Sequence, residues 1–275
     1  EVLGRKEIFI FISFLIIINI FSSKNITFKH YFYFSLILSI SCLIWEGVVI
    51  YLSFFIIILL LQNNFNFKDN FFIKLFVSFV PFFIVFYFVI FFRLNTEELQ
   101  VMCDSINECY GAITYLNRSL SSNIGEVISK FHYSYLIRYI LVFFIGFFSL
   151  ILLILNSSIN FKNNFKNKYF FSFIFFITFI PSLSFYYIAQ DWGRWINISY
   201  TLSLFTYIFC IKNNLIILNA SKLDFPIFKN KIITIFLFFI FSFSWSPKTL
   251  INEDIGSIPI YRKSLNIIKT LNGGQ

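Results

Sequence analysis

The chain has 275 residues, of which 58% are hydrophobic, 23% aromatic and only 13% charged. A soluble domain carries about a quarter charged residues, so most of this chain reads as dissolved in lipid. That excludes a soluble enzyme, a secreted disulfide scaffold and a disordered protein, and it makes the formal net charge of +9 a matter of membrane orientation before nucleic-acid binding. The first residue, Glu1, reads as the start of a fragment or processed product. The bias towards Phe, Ile, Asn, Tyr and Lys fits an A/T-rich genome, so the scarce Arg, Trp and His carry more information than Phe.

Helices that cross a bilayer need about 20 mainly apolar residues. Hydropathy predicts about seven such spans in an all-α polytopic bundle: Ile8 to Phe21, Tyr31 to Leu61, Phe71 to Phe92, Tyr139 to Leu155, Phe170 to Ala189, Ile196 to Ile211 and Ile232 to Trp245. All belong to one transmembrane domain, residues 1–275. The run Tyr31 to Leu61 has no polar loop and would be about 46 Å long as a straight helix, against a hydrocarbon core of about 30 Å. It is expected to be one long helix, tilted or broken near Glu46–Gly47.

The linkers Gln62 to Asn70, Ser157 to Tyr169 and Lys212 to Lys231 carry Lys68, then Lys162, Lys166 and Lys168, then Lys212, Lys222, Lys229 and Lys231. The positive-inside rule assigns all three to the cytoplasmic side. The outer side then holds a loop over residues 94–137, the turn Gln190 to Trp195 and a tail over residues 246–275. Around the first helix, Arg5 and Lys6 nearly balance Lys24 and Lys29, so its orientation stays open.

On this topology Arg93, Arg118, Arg138, Arg194 and Arg262 all face outwards. Orientation alone does not select Arg over Lys. Guanidinium differs in presenting a planar fork that binds phosphate or carboxylate bidentately. Arg93, Arg138 and Arg194, at helix ends, are therefore candidate anion-binding residues; the plainer alternative is that they snorkel to the interface.

The sharpest local feature is Asp191-Trp192-Gly193-Arg194-Trp195. Pro181 is expected to kink the span before it. Gly193 would permit a tight reversal, and Asp191 and Arg194, three apart, would pair. Trp192 and Trp195 fit an interfacial aromatic belt or a surface on which sugar rings stack. Glu46, about mid-membrane, and His132, just before the fourth span, complete the candidate acid–base groups. The two His residues, scattered and without Cys or Asp at ligand spacing, argue against a metal centre.

In the outer loop, Thr96-Glu97-Glu98 starts a predicted helix. Apolar positions recur at three and four residues from Leu99 to Leu120, as in an amphipathic helix. Asn123-x-x-Glu126 would start a second helix running into the fourth span. Cys103 and Cys109 would project about 240° apart on one continuous helix. The expected disulfide between them therefore requires a break. Cys42 and Cys210 read as packing residues within spans.

These features resemble the polytopic polymerases of bacterial surface-polysaccharide clusters, the Wzy/EpsG type. The resemblance rests on Ile44-Trp45-Glu46-Gly47, where Trp45 stands at a position expected to be His, on Ala112-Ile113-Thr114-Tyr115-Leu116, and on the Asp191 to Trp195 turn. It implies glycan polymerisation at the outer face of the cytoplasmic membrane, from lipid-diphosphate-linked oligosaccharides, as in surface-polysaccharide or O-antigen assembly. The implied partners are the bilayer, the lipid-linked oligosaccharide and other polysaccharide-assembly proteins, with no nucleic acid and no cofactor. Arg93, Arg138 and Arg194 would bind diphosphate, and Glu46, His132 or Asp191 would assist the acceptor hydroxyl. The alternative is a transporter or flippase for a lipid-linked sugar or other anion, with Glu46 coupling protons.

Overall fold

A computed structural model describes residues 6–23, 26–65, 70–92, 95–106, 118–160, 168–189, 191–218 and 230–236. The described chain is mainly α-helical, with one short β-ribbon. It divides into two compact units, Glu1–Lys130 with Tyr187–Ala189, and Phe131–Tyr186 with Gln190–Gln275.

The first unit is built on α1 (Glu7–Phe21), α2 (Phe28–Ile44), a 3-10 turn (Glu46–Tyr51), α3 (Leu52–Gln62) and α4 (Phe71–Phe91). The chain leaves α2 at Trp45, whose backbone is extended (φ −153°, ψ 110°). It then folds back. The rings of Phe34 and Phe55 lie 6.3 Å apart, whereas on an unbroken helix their 21-residue separation would span about 31 Å. The break expected near Glu46–Gly47 is present, but the single long helix is not: residues 31–61 form two antiparallel arms. Each arm, Phe28–Ile44 and Glu46–Gln62, is about 25 Å of apolar helix, shorter than a hydrocarbon core of about 30 Å.

Ring contacts give the directions of the other helices. Phe21 packs edge-on against Tyr31 and Phe34, and Ser41 Oγ donates to Ser13 Oγ at 2.7 Å, so α1 runs antiparallel to α2. Lys74 Nζ sits 5.6 Å from the centre of the Tyr31 ring and Phe34 meets Phe79, so α4 runs parallel to α2. The lysine-bearing end of this unit thus collects Lys29 and Lys74. The opposite end carries the 3-10 turn and Glu46, which is exposed. Glu46 therefore stands at a bundle end and not midway along a span. His30, which had no role in sequence, takes part in a reciprocal cap on α2: Thr27 N–H donates to its Nδ1 at 3.0 Å.

Two more helices of this unit are α5 (Thr96–Ile106) and α6 (Leu120–Ser129). The expected start of α5 is correct, with Asn95 and Glu98 capping each other's backbone N–H at 2.8 Å. Helix α6 starts earlier than expected. Ser119 Oγ accepts from Ser122 N–H at 3.2 Å, which puts Asn123 inside the helix, and α6 stops at Lys130 instead of running into the next helix.

The second unit holds α7 (Tyr133–Leu155), α8 (Lys168–Phe179), a 3-10 turn (Ile180–Ser184), α9 (Phe185–Ile188, reaching into the first unit's residues) and α10 (Trp192–Lys212). The 3-10 turn contains Pro181, as expected of a residue that cannot continue the hydrogen-bond ladder. Tyr139 meets Trp192 and Phe147 meets Tyr200, so α7 and α10 run parallel. Phe143 and Phe147 both meet Phe179 at the end of α8, which returns along α7 in the opposite sense. Strands β1 (Ser157–Ile159) and β2 (Ile216–Leu218) pair antiparallel just beyond α7 and α10. The linkers read as plain loops are, over these residues, a ribbon. Asn214, at φ 56°, supplies the left-handed residue that ends α10.

The outward faces are apolar. On α4, Phe72, Phe76 and Phe91 are each about two-thirds exposed, the pattern of a surface whose solvent is hydrocarbon. Helix α4 alone is both long and apolar enough to cross a bilayer among the described residues, and shorter apolar helices cover Glu7–Phe21, Phe28–Ile44, Glu46–Gln62, Tyr139–Leu155 and Ser172–Ile188.

The fold-back depends on Gly47. A Cβ there would stand 2.5 Å from Trp45 Cε2 and Cζ2, because the indole lies over the glycine. Gly47→Ala is expected to destabilise the first unit by about 1–3 kcal/mol through overpacking. Unfolding in detergent should show the loss, with the Trp45→Ala/Gly47→Ala double variant losing less than the sum of the two single changes.

Candidate functional site

In the second unit, α10 begins at a corner that gathers four of the residues singled out above. Asp191 precedes the helix and its carbonyl accepts from Arg194 N–H at 2.9 Å and Trp195 N–H at 3.2 Å. This first turn brings the side chains of residues 191 and 194 together. Arg194 Nη1 lies 3.0 Å from Asp191 Oδ2, and both side chains are about one-quarter exposed. The expected ion pair is formed. Gly193 is buried inside the first helical turn of α10, not in a reversal.

Trp192 and Trp195 are each 4% exposed. Trp192 is boxed in by Phe131, Tyr139 and Tyr186, at ring separations of 6.2, 5.4 and 5.6 Å. Trp195 stacks on Phe185 at 4.3 Å, and the Arg194 guanidinium lies 5.8 Å from its ring centre. These indoles are a packed shelf under the ion pair, not an open aromatic belt or a free stacking surface. The aromatic partners come from α9, from α7 and from Phe131 just before α7, and sequence reading missed them. The signal for Tyr186 was its hydroxyl, kept beside Tyr187 in a run otherwise rich in Phe.

His132 is exposed, in the short connection before α7. It follows Phe131, whose ring meets Trp192, so it shares the end of the unit where Asp191 and Arg194 lie. Arg138 is in α7, one residue before Tyr139; its side chain is outside the described residues, as is the whole of Arg93. Glu46 belongs to the first unit. Among the described residues no group of three or more His, Cys, Asp or Glu is placed to hold a metal ion.

Cys103 on α5 is buried and disulfide-bonded, while Cys42 and Cys210 carry buried free thiols. Cys109, the expected partner, lies outside the described residues, as do Ala112 to Leu116, Arg262 and the tail. Further along the same loop, Glu126 receives hydrogen bonds from Lys130 Nζ at 2.7 Å and from the Arg118 guanidinium. Arg118 thus has a structural partner.

The chain matches no family model, and no curated protein or solved structure is similar to it. The chemistry of the corner is therefore its own evidence: one carboxylate, one guanidinium and two indoles held on a rigid aromatic base.

The Lys130 hydrogen bond, seconded by Arg118, holds the Glu126 carboxyl below the ordinary carboxylate range despite partial burial. A group lowered in the folded chain contributes stability above its unfolded pKa and loses it as pH falls through the folded value. Hydrogen exchange of the α6 amides should therefore show protection at neutral pH that is lost in acid, below the usual carboxylate range. Glu126→Gln should remove that pH dependence.

Proposed function

We propose that the chain is a multi-pass protein of the cytoplasmic membrane that polymerises glycans from lipid-diphosphate-linked oligosaccharides at the outer face. The observation that carries this reading is the Asp191–Arg194 pair on its aromatic shelf. It lies at the end of α10 opposite Lys212 and the lysine-rich connections. The positive-inside rule, applied to each unit by itself, directs the lysine-bearing ends inwards. In the first unit the fold-back changes the count: Lys29 and Lys74 stand at one end, which the rule directs inwards, and Glu46 stands at the other. Residues 31–61 then cross the membrane twice instead of once, and Arg194 lies outside.

In the proposed reaction an acceptor hydroxyl attacks the anomeric carbon of the donor sugar. The bond from that carbon to the diphosphate oxygen breaks, and the lipid diphosphate leaves with the electron pair. A base takes the acceptor's proton. Asp191 and His132, at one end of one unit, are the candidates for that base. Arg138, in the same unit, is the candidate for the departing diphosphate, and Arg93, which belongs to the other unit and lies outside the described residues, is the weaker one. Glu46 is the weaker acid–base candidate because it belongs to the other unit. The transporter reading relied on a mid-membrane carboxylate beside a broken helix; a carboxylate at a bundle end does not serve that role.

Complementation of a strain lacking its surface-polysaccharide polymerase tests the proposal. The parent chain should restore long glycans. Asp191→Ala and Arg194→Ala should leave single repeat units, with polymer reduced on the order of 100-fold. Accumulation of lipid-linked repeat units in the cytoplasm would instead identify a flippase, and full-length glycan from both variants would remove the corner from the site.

A further inference from the structure

Lys74 is the only charged residue of α4. It stands three residues after Phe71 and four before Ser78, both buried, so it belongs to the packed stripe of the helix and not to its outward face. Its Nζ lies 5.6 Å from the centre of the Tyr31 ring on α2, and Tyr31 is itself buried. An aromatic face holds a cation in place without neutralising it. Among the described residues Lys74 makes no ion pair. Glu7 and Glu46, the described carboxylates of α1 to α4 and the turn between them, stand at the other end of this bundle.

Lys29 is at the same depth as Lys74. Each precedes by five residues a ring of the Phe34–Phe79 contact. Because α2 and α4 run parallel, both lysines stand about 8 Å from that contact towards the same end. Lys29 is exposed and heads the outward stripe Tyr33, Leu36, Ile40 and Leu43 of α2. Beside Lys74, Phe72 and Phe76 are exposed on α4. Orientation accounts for Lys29 but not for the placement of Lys74. A lysine that sets orientation, or one that snorkels, needs only to reach water. Lys74 instead reaches a buried ring on the neighbouring helix, where it is half-buried and has no counter-charge within the described chain. A charge removed from water is costly until an anion pairs with it. At the cytoplasmic end of spanning helices, the anion that comes with its own apolar surface is the phosphate of an acidic lipid.

We propose that Lys74, held over Tyr31, and Lys29 form a headgroup site for an anionic phospholipid of the cytoplasmic leaflet. Lys74 pairs with the phosphate, Lys29 adds charge at the same depth, and the acyl chains lie on the exposed apolar faces of α2 and α4. The site requires the lysine-bearing end of the first unit to face inwards, and it does not require polymerase activity.

Native mass spectrometry of the full chain released from detergent micelles tests it. The probes are phosphatidylglycerol, zwitterionic phosphatidylcholine and inorganic phosphate. The parent chain should bind phosphatidylglycerol at least about 10-fold more tightly than phosphatidylcholine. Lys74→Gln and Lys29→Gln should each weaken phosphatidylglycerol binding about five-fold, and Lys74→Arg should retain it. Lys231→Gln removes an exposed lysine of the second unit and should change binding less than about two-fold. Thermal unfolding in detergent checks each fold, and Lys29→Gln, on the outward face, reads out the site even where Lys74→Gln does not fold. Equal binding of the two lipids overturns the proposal, as does parent-like binding by a folded Lys74→Gln chain. An equal loss in Lys231→Gln would reduce the effect to overall charge, and displacement of the lipid by inorganic phosphate would make this a free-anion site; either result also overturns it. Failure of the complementation with these lipid results intact would remove the polymerase reading alone.

Discussion

A backbone in hydrocarbon must satisfy its own polar groups, so a helix can be left only where side chains or water take over. In this chain that constraint is met at Trp45. The 31-residue apolar run before Gln62 is too long for one crossing, and it contains no polar loop to mark a turn. The chain turns in the smallest way available. One residue is extended, a six-residue 3-10 segment follows, and the Trp45 indole closes over Gly47. The directions of α3 and α4 depend on that turn, as does the end of the unit on which each lysine falls. The path of the chain through the first unit therefore turns at one glycine and the ring that covers it.

In the second unit the equivalent constraint is aromatic packing. The first turn of α10 would be a weak place to hold an exposed ion pair, since such pairs contribute little on their own. Here its neighbouring indoles are buried against rings from α7 and α9. The rings restrict where the Asp191 and Arg194 side chains can go, so little ordering is left for a ligand to impose. Arg194, singled out by the scarcity of Arg, is paired with Asp191.

Much of this was legible in the residues. Hydropathy located the apolar helices, Pro181 located the kink before α10, and the spacing of Asp191 and Arg194 predicted their pairing. Glu98 signalled the start of α5. The features that escaped detection share a cause. The fold-back at Trp45 was hidden because the turn is made of mainly apolar residues, so hydropathy shows no polar loop between the two helices. The burial of Trp192 and Trp195 was hidden because it depends on Phe131, Tyr139 and Phe185, which are distant in sequence from at least one of the two indoles. The ribbon between residues 157–159 and 216–218 was hidden because each strand is three residues long and neither shows a period by itself. His30 was passed over because a capping histidine has no motif apart from the Thr27 before it.

The sidedness of the two units supports everything proposed for the corner, and intact cells can report it directly. Single cysteines would replace Ser23, Glu46, His132 and Asn160, all exposed, in a chain otherwise free of cysteine, and a membrane-impermeant maleimide would be added from outside. The account predicts labelling at positions 46 and 132 and protection at 23 and 160 until the membrane is opened. Labelling at 23 would restore the single long helix. Labelling at 160 with protection at 132 would put Asp191 and Arg194 on the cytoplasmic side and contradict the account.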